Sequence, residues 1–241
     1  MTTSTMREVE RPEHVSLIPP RWDWLLLTGY LAVAAVLVRA AFFTPVEALQ
    51  GAAQKILYVH ATSAFVALYL AFALMALTSV LYLWLRDEKL DRVAHSAAEV
   101  GLAFTTVVLV TGPLWGKPIW GAWWVWDARL TSTLFLWLII VGYLVLRGAV
   151  EEREMRARYS AVLGVLAGLL VPFIHLSVYL FRTMHPMPIV AKPSAPSMPA
   201  EMQVTFFSAF FAFVWLFAGL LRARYRLATL EDLADLREVE R

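Results

Sequence analysis

Residues 115–132 read WGKPIWGAWWVWDARLTS and hold five indoles, Trp115, Trp120, Trp123, Trp124 and Trp126. Asp127 ends the run and Arg129 follows. Indole offers a flat apolar face and a single N–H donor. Walls of this kind, with a few fixed polar groups, suit a planar small molecule. The alternative is an interfacial belt, because Trp is enriched where membrane meets water. Trp22, Trp24, Trp84 and Trp215 are isolated and fit that belt. Asp127 and Arg129 are either the polar groups of a ligand site or an N-cap and its neighbour at the next helix. The two roles are compatible.

Imidazole is the other chemistry-bearing group. His60 lies in KILYVHATSAF and His185 ends HLSVYLFRTMHP. A single His at a helix end is usually structural. Two at the level of an aromatic platform could hold a haem iron axially, with the porphyrin in an apolar pocket. The propionates would need cations, and Lys117, Arg129 and Arg182 are candidates. His175 sits ten residues before His185, about 15 Å deeper if helical. Its expected role is a hydrogen bond to a neighbouring helix. His14 and His95 are expected to be solvated.

These groups must be positioned by membrane spans. The chain is 60% hydrophobic and 17% charged, with mean hydropathy +0.63. Globular domains are nearer 45–50% apolar and ~25% charged. Six apolar runs can cross a bilayer, at about 22–42, 56–85, 96–115, 130–147, 159–181 and 204–221. The expected fold is an all-α integral membrane protein, a single domain over 1–241. A short Trp-rich interfacial helix is expected on the outer face, with Pro118 in its first turn. The second run is longer than a bilayer requires and must tilt or protrude.

Lys and Arg in the connections divide fifteen to six between the two sides. The rich side carries Arg7, Arg11, Arg21, Arg86, Lys89, Arg92, Arg147, Arg153, Arg156, Arg158 and five arginines from Arg222 to Arg241. The positive-inside rule makes that side cytoplasmic, with both termini. The indoles then face outward. The N-terminus is polar and lacks an apolar core, so it reads as no signal peptide, and the first span as an uncleaved anchor.

Composition also excludes classes of function. Cysteine is absent, which removes disulfides, thiolate catalysis and thioether-linked haem. Net charge of +2 gives no argument for nucleic acid. No G-x-x-x-x-G-K-[ST] occurs, so the chain carries no ATP site of that type. Nothing resembles a nucleophile–base pair, and no enzyme activity is expected.

The pattern W-G-x-x-x-W-G-x-W-W-x-W-D-A-R-L-T-S resembles the signature of the tryptophan-rich haem-handling proteins. Six spans, a His on the second span and S-V-x-x-x-R-T-M-H-P before the sixth extend the resemblance over the whole chain. Within that group it is most similar to the haem-export C branch of cytochrome c maturation. The resemblance implies haem b, transported or transiently bound, over the Trp segment on the outer face of the bacterial inner membrane. It implies His60 and His185 as axial ligands, with Trp115, Trp120, Trp123, Trp124, Trp126, Asp127, Arg129 and Arg182 around the cofactor. It implies a haem chaperone, CcmE, a small membrane protein, CcmD, and ATP-binding cassette subunits, CcmA and CcmB, as partners beside membrane lipid. A stand-alone transporter and a passive scaffold are the competing readings. Haem in the purified protein separates binding from scaffolding.

Overall fold

The computed structural model describes residues 22–190 and 192–239, with side chains as far as Ala234. His14, Arg7, Arg11, Arg21 and Arg241 lie outside the described residues. Six helical stretches are long and apolar enough to cross a membrane, and no strand occurs among the described residues. The protein is an all-α integral membrane protein.

Helix α1 spans Trp24–Phe42. The second stretch changes helix type along its length. A 3-10 turn, Ala52–Ile56, leads into α2, Leu57–Phe65; a π turn, Val66–Ala71, then joins α2 to α3, Phe72–Leu85. The remaining helices are α4, Glu88–Trp120; α5, Ala128–Ala149; α6, Arg153–Leu180; and α7, Ala200–Val239. Carboxylates start four of them. Asp23 accepts from Leu26 N, Asp87 from Lys89 N, Asp127 from Leu130 N, and Glu152 from Glu154 N and Met155 N. Each satisfies orphan amides and favours the positive end of the helix dipole.

The expected short interfacial helix does not form. Helix α4 runs on through Gly116, Lys117 and Pro118 to Trp120. Gly116 is buried inside it, and a Cβ there would stand 3.0 Å from the Trp120 ring. The break comes at Gly121, which adopts φ 75° and donates its N–H to Lys117 O. Glycine is the residue that tolerates this left-handed turn. Residues 121–127 then continue without helix to the Asp127 cap. The segment is thus split between a helix end and a non-helical connection.

The two ends of the bundle differ in chemistry. At the starts of α4 and α6 and the ends of α5 and α7, ion pairs join the helices. Arg147 clamps Asp91 through two bonds of 2.7 and 2.9 Å. Arg224 pairs with Glu99, and Asp232 receives Arg92 and Arg153. His95 belongs to this layer rather than to solvent. Its side chain is 19% exposed, with Nε2 3.8 Å from a Glu99 oxygen. Burial follows from its place in α4, between fully covered Ala94 and Ser96.

The core lies along α2–α3, with α4, α5, α6 and α7 contributing to it. Phe72, Met75, Leu136, Ile140 and Ile174 are fully buried there. Helices α3 and α6 approach through small residues. A Cβ on Gly168 would meet Ala76 Cβ at 2.4 Å, and one on Gly164 would meet Ser79 Oγ at 2.3 Å. Membrane helices pack this way because lipid supplies no hydrophobic drive between them. Gly142 on α5 has nothing within 4 Å of the same position. Gly168→Leu should therefore destabilise the detergent-solubilised protein by about 1–3 kcal/mol through overpacking. Gly142→Leu should leave the thermal midpoint near wild type. Equal midpoints for both variants would show that the α3–α6 contact is not tight.

Candidate functional site

At the end of the bundle opposite the ion pairs, α2 and the π turn after it, α4, α5, α6 and three connections line an open cleft. Its walls are mainly apolar: Ala64, Ala67, Leu68, Val108, Leu109, Pro113, Leu130 and Ile174. Trp115 and Trp120 enter from the last turns of α4, and Trp123 and Trp124 from the connection after it. His60, His185 and Arg129 complete the lining.

His60 is carried by α2 and faces α4. Gly112 leaves it room, since a Cβ there would lie 3.3 Å from His60 Cε1. The ring stands edge-on to Trp115, with centroids 5.8 Å apart. His60 Nδ1 is 3.0 Å from Thr111 Oγ1. Thr111 already spends its one proton on Val107 O, at 2.7 Å. The hydroxyl therefore accepts from His60, Nδ1 carries the hydrogen, and Nε2 keeps its lone pair.

His185 reaches the same state by another route. It lies in the connection 181–199 between α6 and α7. Nδ1 is 2.9 Å from Pro186 O, which can only accept. The proton is again on Nδ1 and the lone pair on Nε2. Burial, and after it the Arg129 guanidinium, pushes the His185 pKa down to about 3. The ring is the neutral base throughout the physiological range. Two imidazoles with the second nitrogen tied down and Nε2 free match the way histidine is prepared for a metal.

Arg129 lies two residues past the Asp127 cap, in the first turn of α5. Its Nη1 is buried, with no hydrogen-bond partner among the described residues. The same holds for Trp124 Nε1. Unpaired buried donors are costly. A cationic donor beside the cleft fits an acidic group on a ligand.

The other expected site residues lie elsewhere. Trp126 packs edge-on against Trp124 at 5.7 Å but is 75% exposed and outside the cleft lining. Arg182 is exposed and away from it. Lys117 closes the end of α4, donating to Gly121 O at 2.9 Å and standing 6.0 Å over the Trp123 ring. Asp127 is buried and caps α5 while also receiving Thr183 and Met184. His175 meets the helix-partner expectation, with Nδ1 bonded to Tyr69 Oη in the π turn. It does not line the cleft.

Three contributors were not singled out from sequence. Thr111 fixes the His60 tautomer, Gln50 Oε1 accepts from Trp115 Nε1 at 3.0 Å, and Thr183 supports the His185 backbone. Threonine is common in these spans, and nothing local distinguishes Thr111 from Thr105 or Thr106.

The family model described as Heme exporter protein C matches residues 6–239. A Heme exporter protein C from Haemophilus influenzae is 35% identical over 190 residues, 79% of this chain and 77% of the relative. One from Bradyrhizobium diazoefficiens is 34% identical, over 84% of this chain and 76% of the relative. One from Escherichia coli K12 is 33% identical, over 71% and 73%. With the family match spanning nearly all of the sequence, the chain belongs to the heme exporter protein C (CcmC) family.

Proposed function

We propose that this chain binds haem b on the outer face of the bacterial cytoplasmic membrane and delivers it for c-type cytochrome biogenesis. The observation that carries the reading is the pair of imidazoles, His60 and His185, each with Nδ1 engaged and Nε2 free at one aromatic cleft. The names of the relatives support haem as the cargo.

Each residue has a role in this reading. His60 and His185 hold one iron from opposite faces through Nε2. Trp115, Trp120, Trp123 and Trp124 cover the porphyrin and exclude water. Stacking adds about 0.5–1.5 kcal/mol per aromatic contact beyond burial. Arg129 and Trp124 Nε1 supply donors to a propionate. Trp126 and Arg182, outside the lining, present an aromatic and a cation to whatever receives the cargo. That acceptor is a periplasmic haem chaperone of the CcmE kind, with CcmD, CcmA and CcmB as the surrounding assembly. The chain holds and hands over; it performs no covalent step. Residues 1–241 act as one six-span domain in lipid, with both termini in the cytoplasm.

Three experiments test this. Absorption spectra of purified His60→Ala and His185→Ala should each lose the low-spin signature, and added imidazole should partly restore it. His175→Ala, away from the cleft, should keep the wild-type spectrum. Low-spin spectra in both of the first two variants would defeat the bis-histidine assignment. Thr111→Val removes the acceptor behind His60, and haem titration should show affinity reduced about 10–100-fold, with Thr111→Ser near wild type. A reporter fused after Arg241 should be active only in the cytoplasm, and one inserted near Lys192 only outside. The opposite pattern would put the cleft on the wrong side for an outer-face acceptor.

A further inference from the structure

Asp127 divides its two oxygens between two parts of the molecule. Oδ1 accepts from Leu130 N at 2.8 Å and starts α5. Oδ2 accepts from Met184 N at 3.2 Å and from the Thr183 hydroxyl. Thr183 Oγ1 in turn accepts from His185 N at 3.1 Å. The side chain is buried, at 9% exposure. An N-cap needs one oxygen. The other holds the backbone immediately before His185, across 57 positions of sequence.

Beyond His185 the same connection is seated differently. Ile189, Val190 and Met198 pack on the cluster of Ala40, Leu57, Tyr58, Phe206 and Ala209. The imidazole therefore hangs between a polar tether one to two residues before it and an apolar seat after it. Among its described residues the connection has no helix of its own to hold the ring in place.

We infer that Asp127 is a positioning residue for the second axial ligand: its carboxylate clasps Thr183 and Met184 and so sets His185 over the cleft, without touching haem itself. This rests on the bis-histidine reading above. The arrangement makes the indole segment and His185 one unit. The carboxylate that ends the WWVWD run also fixes where α5, with Arg129 in its first turn, begins and where His185 is presented. Loss of the clasp leaves His60 in place and frees His185 alone.

Asp127→Ser and Thr183→Val separate capping from clasping. Serine still caps a helix but cannot serve both partners. Valine at 183 leaves the α5 cap intact and removes the hydroxyl link. Hydrogen exchange on haem-free protein should be faster at the Met184 and His185 amides in Asp127→Ser, and faster at the His185 amide in Thr183→Val. The haem-loaded forms should shift toward the His185→Ala spectrum, recover with added imidazole, and bind haem about tenfold or more weakly. Thr183→Ser should restore wild-type behaviour. Wild-type exchange and spectra in both Asp127→Ser and Thr183→Val, beside an altered His185→Ala, overturn the clasp alone. An unaltered His185→Ala spectrum overturns the ligand assignment and the clasp with it.

Discussion

An imidazole can give a lone pair to a metal only from a nitrogen that carries no proton, and which nitrogen that is depends on what the other one touches. In the proposed reading, the cleft is organised around that constraint. Thr111 and Pro186 O each accept from Nδ1 and leave Nε2 free. Remove the engaged partners and either ring could present an N–H to the cleft. The rest of the site serves these two rings. Gly112 makes space for one, Trp115 backs it, and the Asp127 tether leads to the other.

The bilayer explains where polar groups are allowed. In hydrocarbon every backbone group must be satisfied within the protein. Spans therefore run as long helices, with carboxylate caps at their starts. Charged side chains gather at one end, where arginines and acids pair between α4, α5, α6 and α7. At the other end the chain places indoles, two imidazoles and one buried guanidinium. The π turn at Val66–Ala71 lies between His60 and the regular helix of α3, and holds Tyr69 against His175. Such turns are frequent near functional sites.

Much of the fold was legible because span length and apolarity are properties of contiguous sequence. The six runs fall on the six long helices. The cleft was partly legible, since five indoles in a short stretch need a surface to cover. Helical spacing misled over residues 116–127. It suggested one short helix, but Gly121 in the left-handed conformation ends α4, and Trp123, Trp124 and Trp126 lie in a non-helical connection. There Trp124 is half-buried while Trp126 is 75% exposed. His95 was misjudged for a related reason. Its place near a polar connection suggested water, while the packing of α4 set it beside Glu99.

Sequence alone determined the membrane class, the number of spans and the absence of thiol chemistry. Each follows from residue type and local spacing. Tertiary structure decided the rest. His60 with Thr111, separated by 51 positions, and Asp127 with Thr183, separated by 56, meet only when helices pack. A hydrogen bond requires donor and acceptor within about 3 Å. No local pattern encodes that distance between remote segments, so the tautomers, the tether and the orphaned Arg129 N–H are products of the assembled bundle.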